Sequence, residues 1–205
     1  KIKKYSGTSS SVSVSFIPDW KRFGMTKMDD SIYKIFEKRV FDANICTSPN
    51  CKVKFQNEPL PKCTFNSYAK MYTKSDEMCT FVSDRWSVCI APSDDGFEQV
   101  SFVNGICTTK GGSHIDHVSN ILANGVIEDM AKKIKLRPQQ VKNAFFVFVK
   151  ATLVNPSFSS QVKSECTLKL QDFGSKFEPP KTFIKNILKT SIQSELLALS
   201  KFREL

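Results

Sequence analysis

Two histidines lie three residues apart in His114-Ile-Asp-His117, a spacing that places two imidazoles on adjacent turns of a helix. Zinc takes three or four protein ligands, and the sequence offers no third ligand nearby. The cysteines form no C-x-x-C pair, and none has an obvious histidine and orienting partner for thiol catalysis. We therefore interpret both residue types as structural and predict no metal site. The seven cysteines are Cys46, Cys51, Cys63, Cys79, Cys89, Cys107 and Cys166.

Two groups of basic residues could bind anions. Lys110-Gly-Gly112 immediately precedes a predicted helix, where free helix-start amides and a flexible backbone can cradle an anion. Four positive charges fall close together at the predicted end of the same helix, where they complement the helix dipole and could reach phosphates. A solvated helix terminus is the alternative interpretation of this second group. Its members are Lys132, Lys133, Lys135 and Arg137.

The first elements that surround these residues are a strand and a helix. Val12, Val14 and Phe16 alternate with serines, which is the period-two pattern of a half-buried strand. Thr26 and Asp29 form a capping-box-like helix start, and apolar residues then recur at helical spacing to about position 43. The sequence thus predicts a strand over residues 11–16 and a helix over residues 26–43.

The pattern is weaker between residues 52 and 76. Lys52–Phe55 and Glu58–Pro61 predict one or two short strands around a turn. The following stretch, Ser67–Asp76, predicts a short helix and a linker. We therefore place a domain boundary near Thr73.

Three apolar runs after this boundary predict strands in a meander, over Met78–Val82, Trp86–Ile90 and Gln99–Ile106. Gly111-Gly112 ends the pattern, and Ser113 with Asp116 forms a second capping box that begins a long helix. Six apolar residues at helical spacing predict its buried face. They are Ile115, Val118, Leu122, Val126, Met130 and Ile134.

The last third of the chain opens with the almost wholly apolar stretch Ala144–Val154, which predicts a strand covered on both faces. A polar loop over Ser157–Thr167 follows, and Phe183–Lys189 and Ile192–Phe202 predict two final helices. Strands and helices are mixed along the chain without a repeat. The sequence therefore predicts a layered α/β (α+β) fold.

Composition limits the classes of partner. The chain has 205 residues, 40% of them hydrophobic, and can bury one substantial core or two smaller domains. Thirty Lys and Arg against twenty Asp and Glu give a net charge of +10, which favours anionic partners such as nucleic acid or nucleotide phosphates. The unpaired cysteines favour a reducing compartment. No apolar run approaches the roughly 18 residues of a membrane span, so we expect no membrane partner. The missing initiator Met leads us to expect an excised segment.

Long motifs carry a resemblance to one family. Phe102-Val-Asn-Gly-Ile-Cys-Thr-Thr-Lys-Gly-Gly-Ser-His114 closely resembles the eukaryotic-type DNA topoisomerase II signature S-F-V-N-x-I followed by T-x-K-G-G-x-H. Residues 141–168 resemble the same family's V-K-N, F-V, N-P-x-F-x-S-Q-T-K and T-L block. Residues 16–40, from Phe16-Ile-Pro-Asp19 to Lys38-Arg39-Val40, resemble the end of its ATPase domain. The resemblance covers nearly the whole chain.

The resemblance implies two domains. Residues 1–73 would complete a Bergerat-type (GHKL) ATPase sandwich. Residues 74–205 would form the transducer, a ribosomal-protein-like βαβ domain whose mixed sheet carries helices on one face, with the final helices leading towards the DNA-cleaving core. The family's glutamate base, magnesium-binding asparagine and ATP lid are expected before Lys1, and its breakage tyrosine after Leu205. The segment alone is therefore expected to be inactive.

The resemblance also assigns roles to single residues. The family's Q-T-K loop touches the terminal phosphate of ATP, which implies ATP contacts for Gln161 and Lys163 and a catalytic, charge-neutralising role for Lys163. The chain departs from the family at Val162, and at Val12, where the family has a threonine near the nucleotide base. Lys132, Lys133, Lys135 and Arg137 lie where the family has a lysine-rich loop facing DNA, and Lys110 is a further DNA-binding candidate.

The function implied by the resemblance is that of an ATP-hydrolysing DNA topoisomerase, an isomerase that passes one duplex through another. ATP with Mg²⁺ would be the cofactor, with the Mg²⁺ ligands outside this segment. Double-stranded DNA and a second copy, joined through the N-terminal gate, would be partners. The location would be the nucleus, or the cytoplasm if the protein is virally encoded. The alternative is a non-catalytic, basic nucleic-acid-binding or nucleotide-switch module that keeps the fold without turnover.

Overall fold

A computed structural model of the chain describes residues 7–201. The chain divides into two compact units between Glu37 and Lys38. In the first unit, a 3-10 turn at Trp20–Phe23 precedes helix α1, Asp30–Cys46, which extends into the second unit. Asp29 Oδ1 accepts a hydrogen bond from the Ile32 amide at 2.8 Å. The predicted helix is confirmed, but Asp29 rather than Thr26 caps its start.

The strand predicted over residues 11–16 is wrong. These residues have no regular secondary structure, and Val12 and Phe16 are 94% and 74% exposed. An alternating sequence forms a strand only when a neighbouring strand pairs with its backbone groups and covers its apolar face. Within the described part of the chain, no strand pairs with this segment.

The second unit is built on a five-stranded mixed sheet whose strands are β3 (Cys79–Val82), β4 (Trp86–Pro92), β5 (Glu98–Val103), β6 (Ile106–Cys107) and β7 (Phe145–Ala151). They lie in the order β3-β4-β7-β5-β6. Strand β7 lies antiparallel to β4 and parallel to β5. The predicted meander is therefore right only for the β3–β4 pair, because the most apolar strand takes the central position between β4 and β5.

Helices α3 (Ser113–Met130) and α4 (Pro138–Asn143) connect β5 to β7 and form the βαβ crossover. Five residues of the predicted α3 face are buried, from Ile115 to Met130, which confirms the helix and its face. Ile134 lies beyond the helix end and is only partly buried. Helices α5 (Lys181–Ile187) and α6 (Ser191–Lys201) contribute buried residues to the hydrophobic core that α3 forms with the sheet.

The capping box predicted at Ser113 is wrong. Gly112 is the N-cap of α3 and has no side chain to cap with. The Ser113 hydroxyl donates instead to the Cys166 carbonyl at 3.4 Å, far along the sequence. A tertiary contact has replaced the local one.

The other face of the sheet is covered by residues 45–72. The hairpin of β1 (Lys54–Phe55) and β2 (Glu58–Pro59) is confirmed, and helix α2 (Phe65–Ala69) follows it. Ile45, Phe65 and Tyr68 pack with Phe102, Phe146 and Phe148 of the sheet. Strand β7 is thus buried on both faces, as predicted, and the expected mixed sheet with the helices of residues 113–201 on one face is confirmed. The domain boundary near Thr73 stays a prediction.

A buried polar network joins the end of α1 to α2. Asp42 is 5% exposed and accepts hydrogen bonds from the Tyr68 hydroxyl at 2.6 Å and from Lys38 Nζ at 2.9 and 3.0 Å. Arg39 Nη1 lies 3.4 Å from the same carboxylate. The Tyr72 hydroxyl lies 2.7 Å from that of Tyr68. Burial, and then the hydrogen bond to Asp42, raise the pKa of Tyr68, so its hydroxyl stays protonated.

Two global features complete the fold. No helix among residues 7–201 has both the length and the apolar character needed to cross a bilayer. All seven cysteines are free thiols.

Candidate functional site

The loop of residues 157–167, called here the lysine loop, follows β7 and folds back on itself. The Thr167 amide donates to the Ser157 carbonyl at 2.9 Å, and the Ser159 amide donates to the Glu165 carbonyl at 3.1 Å. Phe158 and Cys166 form an isolated antiparallel bridge. These contacts tie the two arms of the loop together and leave residues 160–164 at its tip.

The tip of the lysine loop carries the predicted phosphate-binding residues. The Lys163 amide donates to the Ser160 carbonyl at 2.9 Å, and Lys163 has a φ of 59°, which is uncommon for a residue with a side chain. Gln161 and Val162 are exposed. Lys163 is half-buried, with Nζ 5.8 Å from the centre of the Phe158 ring, within range of a cation–π contact. No ion pair joins Lys163 to a carboxylate of the described residues.

A second loop, residues 108–113, called here the glycine loop, lies against the lysine loop at the start of α3. The Lys110 amide donates to the Ser164 carbonyl at 2.8 Å, and the Cys166 amide donates to the Gly111 carbonyl at 3.0 Å. The Ser113 amide donates to the Cys166 carbonyl at 3.0 Å, and Gly112 and Cys166 form a parallel bridge. The structure thus joins two motifs that are about 50 residues apart in the sequence.

A buried chain of polar side chains lies at the base of the glycine loop. The hydroxyls of Ser101 and Thr108 are 2.5 Å apart, and Thr108 Oγ1 lies 3.2 Å from His114 Nε2. Burial lowers the pKa of His114 to about 4, so the ring is neutral at neutral pH. His117 has other surroundings and packs against the rings of Trp86 and Phe173. Among the described residues, no group of three His, Cys, Asp or Glu side chains could hold a metal ion.

The second predicted site, called here the basic segment (Lys132–Arg137), follows the end of α3. Ile134 and Leu136 are partly buried and pack against the core, whereas the charged residues on either side of them are exposed. All four cations are exposed, and none joins an ion pair with another described residue. The Arg137 amide donates to Gln140 Oε1 at 2.9 Å at the start of α4. The arrangement presents four positive charges on one connection, none of them paired with a carboxylate of residues 7–201.

The predicted DNA-binding residues do not form one surface. Helix α3 has 18 residues and is therefore about 27 Å long. The basic segment lies at its C-terminal end, and Lys110 lies at its N-terminal end beside the lysine loop. Lys110 is exposed, and its placement groups it with Lys163 rather than with the basic segment.

Sequence reasoning missed Cys166 and Thr108 as parts of the site. Cys166 acts through its backbone, so its residue type gives no signal. Gly111-Gly112 does give one, because both residues have positive φ and Gly112 meets the Cys166 backbone directly.

Comparison with known proteins places this geometry in a family. The DNA gyrase B family profile matches residues 53–198. DNA topoisomerase 2 of Acanthamoeba polyphaga mimivirus is 37% identical over 207 residues, which cover 96% of this chain and 16% of the relative. The crystal structure of the ATPase region of Saccharomyces cerevisiae topoisomerase II matches with a TM-score of 0.84 at 33% identity, over 90% of this chain and 48% of that chain.

A further solved structure covers the same part of the fold. The ATPase and transducer domains of DNA topoisomerase II from Balamuthia mandrillaris match with a TM-score of 0.82 at 30% identity, over 91% of this chain and 49% of that chain. The chain belongs to the DNA gyrase B family. Within that family it is homologous to the ATPase region of type II DNA topoisomerases, as the sequence motifs predict. It spans about 15% of the length of the curated relatives that it matches.

Proposed function

We propose that the chain is a segment of an ATP-dependent type II DNA topoisomerase that transmits nucleotide state from the ATPase domain to the DNA gate. Residues 1–73 complete the ATPase domain in this proposal, and residues 74–205 form the transducer. The similarity to the Balamuthia structure, which contains both domains, supports this division.

The tip of the lysine loop is the observation that carries the proposal. An exposed amide, Gln161, and the Lys163 ammonium stand together on a short loop fastened at both arms, and no carboxylate of the described residues pairs with that ammonium. Such a pair suits the terminal phosphate of a nucleotide, because the ammonium neutralises negative charge that develops during phosphoryl transfer. Val162 is 81% exposed, so its side chain does not hold the loop together, and its difference from the family's threonine removes neither of the two proposed phosphate contacts.

ATP with Mg²⁺ is the proposed cofactor. The Mg²⁺ ligands are proposed to lie elsewhere in the complete protein. When bound, the metal would supply further neutralisation of phosphate charge beside that supplied by Lys163. A second copy of the protein would complete the N-terminal gate.

Double-stranded DNA is the proposed macromolecular partner of the basic segment. Its four exposed cations have no competing acidic partner among the described residues, and the whole chain carries a net charge of +10. Phosphate contacts of this type position DNA without reading its sequence. The proposed location is the nucleus, or the cytoplasm for a virally encoded protein, as the mimivirus relative illustrates.

The test is DNA-stimulated ATP hydrolysis by the complete protein carrying Lys163→Ala. Turnover should fall on the order of 100- to 1000-fold, the loss typical of one preorganised donor to a developing anion. Gln161→Ala should have a milder effect because a neutral amide donates a weaker hydrogen bond, and Val162→Thr should be nearly neutral. Lys169→Ala is the matched control, since Lys169 is an exposed lysine just outside the loop.

Wild-type turnover by Lys163→Ala would refute the role of Lys163. A complete wild-type protein that binds ATP without hydrolysing it would instead favour the non-catalytic nucleotide-switch module. Thermal stability of each variant, measured in parallel, separates lost chemistry from lost folding.

A further inference from the structure

We propose that Gly112 is a positioning residue that holds the lysine loop, and with it Lys163, in the geometry needed for phosphate contact. This inference rests on the proposed function of Lys163. It adds a requirement that the glycine loop and the lysine loop act as one rigid body.

The fit between Gly112 and Cys166 excludes any side chain at position 112. A Cβ atom there would lie 2.1 Å from the Cys166 carbonyl oxygen, 2.6 Å from its nitrogen and 2.9 Å from its carbonyl carbon. Gly112 also has a φ of 121°, a conformation that residues with side chains rarely adopt. The obstacle is backbone and cannot rotate away. Any larger residue must therefore push the two loops apart.

The position of Cys166 is transmitted to Lys163 by a short path. Only Ser164 and Glu165 separate them, and the Ser164 carbonyl accepts a hydrogen bond from the Lys110 amide at 2.8 Å. Phe158, on the other arm, is bridged to Cys166 and lies under the Lys163 ammonium. A shift of Cys166 therefore moves both the backbone of Lys163 and the ring on which its side chain rests.

The glycine loop that contains Gly112 is held in place by buried polar contacts at its base. Thr108 begins the glycine loop, and its hydroxyl lies between Ser101 of β5 and His114 of α3. Thr108, Ser101 and His114 are all buried, so these contacts are protected from water. The lysine loop is thus connected to the central sheet and to α3 through the glycine loop.

The experiment is a double-mutant cycle in the complete protein, with DNA-stimulated kcat and the KM for ATP as readouts. Gly112→Ala should lower kcat on the order of 100-fold, because a misplacement of about 1 Å at a catalytic group has that effect. In a Lys163→Ala background, Gly112→Ala should lower kcat less than about twofold, because residues that act as a unit are not additive.

Gly174→Ala is the matched control. Gly174 also has a positive φ of 69°, and a Cβ there would lie 2.3 Å from Val154 Cγ2, but it touches neither loop. Its strain should lower thermal stability while kcat stays within about threefold of wild type and independent of Lys163. This comparison separates positioning from general destabilisation.

Two outcomes of the cycle would overturn the proposal, and a second variant covers the case in which Gly112→Ala does not fold. If the kcat losses of Gly112→Ala and Lys163→Ala multiply in the double variant, the positioning role is wrong while the function of Lys163 stands. If Lys163→Ala alone retains wild-type kcat, the proposed function fails first, and the positioning role falls with it. If Gly112→Ala does not fold, Thr108→Val replaces it, since it removes only the buried hydroxyl. Its smaller loss of kcat must likewise vanish in the Lys163→Ala background, and a multiplied loss overturns the proposal.

Discussion

The buried network around Asp42 allows a prediction in which two chemically identical deletions have different effects. Tyr68→Phe and Tyr72→Phe each remove one hydroxyl and keep the ring. A carboxylate only accepts hydrogen bonds, so Tyr68 donates to Asp42 across 2.6 Å, and Tyr72 donates to the Tyr68 oxygen across 2.7 Å. The first bond is charge-assisted and the second joins two neutral groups.

The magnitudes follow from this difference. Loss of a hydrogen bond to a charged group costs about 1.5–3 kcal/mol, whereas loss of a neutral one costs about 0.5–1.5 kcal/mol. Tyr68→Phe should lie near the top of the first range, because Asp42 is 5% exposed and water cannot replace the lost donor. Lys38 and Arg39 remain as donors and keep the loss from being larger. Tyr72→Phe should lie in the second range, since its ring contacts with Phe146 and Phe148 persist.

The assay is urea unfolding of the purified chain, in which a change of midpoint at constant slope reports a change in stability. Asp42→Asn provides the control for the assignment of donors. Against an amide, the charge assistance is gone, so Tyr68→Phe should cost no more than about 1 kcal/mol in that background. A Tyr72→Phe loss equal to or greater than that of Tyr68→Phe would refute the assigned direction of the hydrogen bonds.

Two further predictions concern charge. Replacing the four cations of the basic segment by Ala should weaken DNA binding and lower the salt slope of log K by up to about 0.9 per lost phosphate contact. An unchanged slope would leave only the solvated-terminus interpretation, and a control with equal charge loss replaces Lys169, Lys176, Lys181 and Lys185. The second prediction follows from the pKa of His114, which burial lowers from an ordinary 6.5 to about 4. Between these two pH values the His114 ring binds a proton in the unfolded chain but not in the folded chain. The folding stability is therefore full above pH 6.5 and falls as the pH drops towards 4. The loss of folding stability should reach about 3 kcal/mol. The free energy of unfolding measured across this range should depend less steeply on pH in His114→Gln, in which the lowered pKa of His117 still contributes. An equally steep dependence would contradict the role of His114.

Local patterns in the sequence predict the elements that bury a continuous face. The apolar spacing from Ile115 to Met130 identifies α3 because the helix packs that whole stripe against the sheet. The run from Phe145 to Ala151 identifies β7 because both of its faces are covered. In each case the environment of the element matches its own composition.

The predictions that fail depend on partners far along the chain. The alternation at Val12 requires a neighbouring strand, and Ser113 exchanges a local cap for the carbonyl of Cys166. The order of the strands is a third case, because nothing within residues 78–106 indicates that β7 will separate β4 from β5. For the site, motif resemblance predicts Gln161 and Lys163 as phosphate contacts. The contact between Gly112 and Cys166 is visible only in three dimensions.

The central position of β7 constrains how the polypeptide can fold as it is synthesised. The β3–β4 hairpin can form early, because its strands are neighbours in the sequence. Strand β5 has only the two-residue β6 beside it until β7 is made, about 40 residues later. During that interval one edge of β4 and one edge of β5 are both unpaired, and such edges promote association between chains. Parallel pairing across a long crossover is also slow. Emergence of residues 145–151 from the ribosome is therefore the event that closes the sheet, and the nascent chain is most exposed to aggregation just before it.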